Sequence, residues 1–163
     1  MSSETDTPAT DLENASAFVQ AAGLRITEAD GERVVGWIDL GPQHHTPWGV
    51  VHGGVFLSAV ESAASIGASA AVADRGLIAV GVHNGTDFVR GAHDGRADVL
   101  ATPLQQGASQ QLWQVLITRA TDGKTLAHGK LRLQNVAPRA RGRVSGRRGA
   151  GESTVTSTVE DQR

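Results

Sequence analysis

The segment Trp48-Gly49-Val50-Val51-His52-Gly53-Gly54 runs directly into an apolar stretch whose one charged residue is Glu61. Paired glycines at a predicted helix start would leave backbone N–H groups free at the positive end of the helix dipole. A carboxylate inside a segment composed for burial is costly unless it is paired, hydrogen-bonded or used. Together they predict a backbone donor at Gly53 that polarises a carbonyl and an acid, Glu61, that attacks it or moves a proton. The plainer readings are a glycine needed only for a tight entry turn and a carboxylate on an exposed stripe. Phe56, Leu57, Val60 and Ala64 around Glu61 argue against simple exposure. His52 either braces the loop by bonding to backbone or stands close to the reacting group. Ser65 lies four residues after Glu61, on the same helical face, where its hydroxyl could hold water or the carboxylate. It could equally be a helix-interface serine.

Other chemistries lack their residues. The chain has no cysteine, which removes disulfides, thiolate metal sites and cysteine nucleophiles. No Gly-x-Ser-x-Gly elbow surrounds Ser65. His44, His45, His52 and Asp39 match no standard zinc spacing, so no metal is expected. Neither a Walker motif nor a dinucleotide-binding fingerprint is present.

The elements that must position these groups follow from periodicity. Leu12, Ala15, Phe18, Val19 and Ala22 recur at helical spacing before Gly23, predicting a short amphipathic helix over Leu12–Ala22. Glu32–Leu40 predicts a strand, and Gly41–Pro47 a loop. From His52 or Gly53 to Ala73 the chain is apolar on nearly all faces, predicting a buried central helix. Leu77–His83 predicts a strand that continues irregularly to Val89. Gly95–Pro103, Gln110–Arg119 and Thr125–Val136 alternate as strands, with Gln105-Gln106-Gly107 as a turn and Asp122-Gly123 as a hairpin signal. The order predicts an α+β fold, a curved antiparallel sheet wrapped around one long helix. Such a sheet has edges, and pairing the edges of two copies would manage them and set two helices side by side. Small residues between Ser58 and Ala73 would permit close approach, so a homodimer is expected.

With 163 residues, one folded unit is expected, over residues 12–137. Residues 1–11 and the basic tail 138–163, which includes Arg139, Arg141, Arg143, Arg147 and Arg148, are expected to be disordered. A net charge of -2 gives no global field for nucleic acid. Met1–Asp11 lacks a signal-peptide pattern, and no apolar run reaches membrane-spanning length. The expectation is a cytoplasmic protein without nucleic-acid or membrane partners.

Three blocks, in order, carry a family resemblance. They are Trp48–Gly54 with Glu61 and Ser62, Ala79–Asn84 through Phe88-Val89-Arg90 and Gly95-Arg96, and Pro103-Leu104 with Gly107 and Gln110–Val115. Over residues 45–137 the chain resembles the hotdog-fold acyl-CoA thioesterases. It is most similar to 4-hydroxybenzoyl-CoA thioesterases of the Arthrobacter type and to 1,4-dihydroxy-2-naphthoyl-CoA thioesterases. The resemblance implies a dimer, often a dimer of dimers, with active sites at the subunit interface. Each site would join the helix start of one subunit to the acid of the other. Gly53 and Glu61 are eight residues apart, about 12 Å along a helix rising ~1.5 Å per residue. A single thioester carbon therefore fits between two antiparallel copies better than within one.

The resemblance also assigns residues. Ser65 matches a threonine. Thr46 stands where similar enzymes carry a glutamine that helps hold the substrate carbonyl or the water, and this is the clear departure. Trp48 would line the acyl pocket, with a core role as the alternative. His83 and Asn84, with Thr86 and Asp87, would border the pantetheine tunnel, and Asp87 could be a second carboxylate or a turn cap. Arg90 and, more loosely, Arg139 match basic positions that contact coenzyme A phosphates. The implied activity is hydrolysis of an aromatic or short acyl-CoA, with coenzyme A as part of the substrate and no bound cofactor. Two alternatives keep the fold: a non-catalytic acyl-CoA binding protein and an acyl-thioester dehydratase.

Overall fold

The computed structural model describes residues 12–138. The readings of residues 1–11 and of the tail beyond Pro138, Arg139 included, lie outside the described residues. Among the described residues, six strands form one antiparallel sheet: β1 (Leu24–Ala29), β2 (Val34–Leu40), β3 (Ile78–Phe88), β4 (Gly95–Gln106), β5 (Gln110–Arg119) and β6 (Thr125–Val136). The spatial order is β1-β2-β4-β5-β6-β3, so β1 and β3 are its two edges. Helix α1 (Ala17–Ala22) precedes β1, and helix α2 (Gly53–Ala70) links β2 to β3.

Two expectations need correction. The helix expected over Leu12–Ala22 is broken into a 3-10 turn, Leu12–Asn14, and α1, which ends as expected at Gly23 with φ 74. Strand β1 was not expected at all. Only Leu24 and Ile26 alternate against Arg25, Thr27 and Glu28, and an edge strand needs no stronger pattern because one side of it meets no neighbour.

Helix α2 lies across the concave face of the sheet and contacts all six strands. Its buried stripe is Phe56, Ala59, Val60, Ala63, Ala64, Gly67 and Ala68. Facing it are Val34 and Ile38 of β2, Ala97, Val99 and Ala101 of β4, Trp113, Val115 and Ile117 of β5, and Leu131 and Leu133 of β6. The Trp113 ring fills the space that a Cβ on residue 67 would need, about 2.5 Å away, so glycine there sets how closely helix and sheet approach.

A buried polar network fixes the far end of α2. Trp113 Nε1 donates to Gln111 Oε1 at 2.9 Å, and Gln111 Nε2 donates to the Ala68 carbonyl and to Asn135 Oδ1, both at 2.8 Å. Asn135 Nδ2 in turn reaches the Gly107 and Ala108 carbonyls of the β4–β5 turn, each at 3.1 Å. Each buried amide is thus partnered, as burial demands. The helix is therefore pinned at its end by hydrogen bonds and along its length by packing. That leaves its start, Gly53, at a fixed place above the sheet.

Candidate active site

The start of α2 is built by three consecutive residues. His52 is the N-cap: its Nδ1 accepts the Gly54 N–H at 2.8 Å. Accepting at Nδ1 places the ring proton on Nε2. A Cβ on residue 54 would approach His52 Nδ1 to 2.9 Å, so glycine makes room for the capping ring. Val55 N–H turns back to the His52 carbonyl at 3.0 Å. Among the described residues no backbone acceptor takes the N–H of Gly53. A donor at a helix start, free and aligned with the dipole, is what a developing oxyanion needs. The His52 ring thus bonds to backbone at the helix start and also lines the larger of the two cavities there.

The loop before the helix is rigidly tied. Thr46 N–H donates to the Val50 carbonyl at 2.7 Å, and Gly49 N–H, with φ 76 at Gly49, donates to the Thr46 carbonyl at 3.0 Å. His93 Nδ1 donates to the Gly49 carbonyl at 2.8 Å, and His45 Nε2 donates to the His93 carbonyl at 2.6 Å. Among the described residues the buried Thr46 hydroxyl has no hydrogen-bond partner. At the tip of this turn Trp48 is 84% exposed, so the core role considered for it is overturned.

Glu61 sits two turns further along α2, half-buried. Its Oε2 accepts from Asn84 Nδ2 at 3.0 Å, and the same Nδ2 donates to the Leu57 carbonyl at 3.3 Å. Thr86 Oγ1 donates to Asn84 Oδ1 at 2.7 Å. Glu61 Oε1 occupies the place where a Cβ on residue 81 would be, so the carboxylate rests on the bare backbone of Gly81. Ser65 lies one turn on, half-buried, and among the described residues its hydroxyl makes no bond to Glu61.

A β-bulge makes this arrangement. The β3–β6 register shifts between Gly81 and His83, so Gly81 opposes Leu133 and Asn84 opposes Leu131. One extra residue, Val82, exchanges the two faces of the strand. Gly81, Asn84, Thr86 and Phe88 consequently share the helix-facing side with Leu133, Leu131, Gly129 and Ala127. His83 and Asp87 fall on the other side, opposite Arg132 and His128. The register thus splits His83 from Asn84 across the two faces of β3, and Asp87 lies within the strand on the face away from Glu61.

Two cavities flank the start of α2. One, of about 190 Å³, is lined by Val51, Gly53, Phe56 and Phe88 with Arg90 at its rim. Arg90 Nη1 is anchored on the Thr125 carbonyl at 2.9 Å. The other, of about 450 Å³, opens between α1 and α2, with Phe18, Ala21, Ala22, His44, His52 and Leu57 among its walls. His44 Nε2 ties this wall together by donating to the Ala21 carbonyl at 3.0 Å. Among the described residues no three His, Asp or Glu side chains converge as metal ligands.

The sequence pattern of the thioesterase superfamily matches residues 49–126, the span from this helix start to the last hairpin. A Mycobacterium tuberculosis H37Rv protein named "Putative esterase Rv1847" is 41% identical over 124 residues, 75% of this chain and 88% of its own. The chain belongs to the thioesterase superfamily. The solved structure of that mycobacterial relative superposes with a TM-score of 0.72 at 40% identity, covering 77% of this chain and 100% of the other. A thioesterase from Haemophilus influenzae superposes at 0.71 with 25% identity, covering 78% and 87%. A 1,4-dihydroxy-2-naphthoyl-CoA hydrolase of Listeria monocytogenes is 27% identical over 103 residues, 63% of this chain and 83% of its own. This thioesterase-superfamily chain therefore has the hotdog fold, and thioester hydrolysis is its general activity.

Within the thioesterase fold, the expected residues separate into groups. Gly53, His52 and Arg90 gather at the start of α2, while Glu61 and Asn84 meet at the β3 bulge. Sequence reasoning missed Gly81 and the α1 wall around Phe18. No chemical side chain marks either, and Phe18 reads in the sequence as part of an ordinary apolar stripe, whereas in the structure it is 72% exposed.

Proposed function

We propose that this protein hydrolyses an acyl-CoA thioester, with an aromatic or short acyl group, to the free acid and coenzyme A. The observation that carries the proposal is the unbonded Gly53 N–H at a capped helix start, on the same helix as a carboxylate held in place. The Gly53 N–H would hydrogen-bond the thioester oxygen as negative charge develops. Glu61 would attack the acyl carbon or draw a proton from the attacking water. The thiolate of coenzyme A leaves, so coenzyme A is substrate and no bound cofactor enters. Arg90 at the rim of the smaller cavity would face the phosphate-bearing arm. The larger cleft against α1 would take the acyl group.

The working unit in this proposal is a homodimer, assembling further as a dimer of dimers, in a cytoplasmic setting. Gly53 and Glu61 are separated by eight residues of one helix, about 12 Å at ~1.5 Å per residue. One reaction centre would then combine the Gly53 of one copy with the Glu61 of another. Strand β3 supports the pairing: it is an edge strand whose outer face carries exposed Ile78, Val80 and Val82.

Steady-state thiol release tests the proposal on 4-hydroxybenzoyl-, benzoyl-, phenylacetyl-, dihydroxynaphthoyl- and hexanoyl-CoA. Turnover by wild type that collapses in Glu61→Ala supports it, and the ranking names the acyl class. Binding of acyl-CoA without turnover would replace it with a non-catalytic binding protein, with Thr46 in place of the family glutamine as the leading cause.

A further inference from the structure

We propose that Asn84 is the positioning residue for Glu61, locking the carboxylate into one orientation through a relay from Thr86. This deepens the hydrolase proposal above and rests on it. The chemistry fixes which way the amide points. The Leu57 carbonyl and an ionised Glu61 carboxylate can only accept, so the Asn84 atom facing both is the nitrogen. The Asn84 oxygen then faces the Thr86 hydroxyl, which donates to it at 2.7 Å. Asn84 is thereby held at both ends, by Leu57 on α2 and by Thr86 on its own strand. Glutamate has substantial rotamer freedom to lose on ordering. A donor already locked by its own partners removes that freedom before substrate arrives, as a preorganised site requires. The donor is also neutral. It aligns Glu61 without cancelling the negative charge, which a lysine or arginine at residue 84 would do.

The bulge at Val82 supports the assignment independently. An unbroken alternation of β3 would carry Gly81, His83 and Gly85 to the helix-facing side and turn Asn84 and Thr86 away. The single inserted residue brings both polar side chains beneath Glu61 while Gly81 keeps its place under the carboxylate. Gly129, opposite Thr86, completes the arrangement: a Cβ there would approach the Thr86 hydroxyl to 2.9 Å.

The test uses the full-length protein and two readouts. In hydrolysis, Asn84→Ala should lower kcat about tenfold to a hundredfold with KM within about twofold, the loss of one hydrogen bond to a charged group. Thr86→Val should lower it less, in the same direction. Asn84→Asp should move the acid limb of the kcat profile to higher pH, because a second carboxylate then faces Glu61. In the second readout, carboxyl ¹³C-labelled glutamate is titrated by NMR, with the Glu61 signal assigned by its absence in Glu61→Gln. Its midpoint should rise in Asn84→Ala, where the donor to the charged form is gone. Unchanged kcat and an unchanged Glu61 midpoint in the Asn84 variants would overturn the positioning role and leave the hydrolase reading standing. A wild type that turns over no acyl-CoA would overturn the hydrolase reading, and the Glu61 midpoint would then decide the relay by itself.

Discussion

The carboxylate of Glu61 fills the space that a side chain on Gly81 would occupy, so acid and glycine are complementary parts of one surface. Adding a single methyl must move one of them. Gly81→Ala is expected to expel the carboxylate from its place against Asn84 and lower kcat at least about tenfold, while the protein still folds, since Gly81 has no left-handed backbone to lose. Steady-state kinetics beside a thermal melt would check this, and an unimpaired Gly81→Ala enzyme would mean that the carboxylate works from another position.

His52 caps α2 through Nδ1, a role that an asparagine side chain can take over and alanine cannot. His52→Ala should destabilise the fold by about 1 kcal/mol and lower activity by loosening the Gly53 donor. His52→Asn should keep both. A stable but inactive His52→Asn protein would instead give the imidazole a part in the chemistry.

The Trp113 ring against Gly67 sets the distance between helix and sheet. Gly67→Ala should therefore cost about 1–3 kcal/mol through overpacking, read in a denaturant melt as a lower midpoint at unchanged slope. An unchanged midpoint would show that the helix can lift without penalty.

Val80 and Val82 are exposed on the outer face of β3, an edge strand among the described residues. Val82→Lys should weaken self-association, read by sedimentation velocity, and hydrolysis should fall in parallel with the dimer fraction. Full activity from a monomeric variant would refute the shared site.

Asp30 closes the β1–β2 turn by accepting the Glu32 and Arg33 N–H groups at 2.8 and 2.7 Å. Those backbone bonds, first that of Glu32 and then that of Arg33, hold its carboxyl below the usual value. A depressed folded value means the contribution is present above the unfolded pKa of about 3.9 and is lost as pH falls through the folded one. Asp30→Ala should thus melt below wild type at pH 7 and at pH 5, and the gap should close under about pH 4. A gap that persists in acid would point to shape rather than charge.

Much of the site was legible in one dimension. The glycine pair, His52 and Glu61 announced themselves because a helix start and a lone carboxylate in an apolar run are local features. The Asp122-Gly123 hairpin and the start of α2 were readable for the same reason, since each depends on neighbouring residues, whereas the helix ends at Ala70 rather than at Ala73. Strand β1 was not readable, because its two alternating apolar residues, Leu24 and Ile26, are all that an edge strand facing α2 and the Leu12–Asn14 turn needs to bury.

The sequence by itself determined which residues could react, that one long helix must be buried under a sheet, and that Gly53 and Glu61 lie too far apart along that helix to share one carbon. Only the tertiary structure decided which side chains stand beside the acid. Periodicity reports an alternation but not its phase once a residue is inserted. The bulge at Val82 reverses that phase, turning His83 away and Asn84 toward Glu61, and pairing with β6 is what stabilises the bulge.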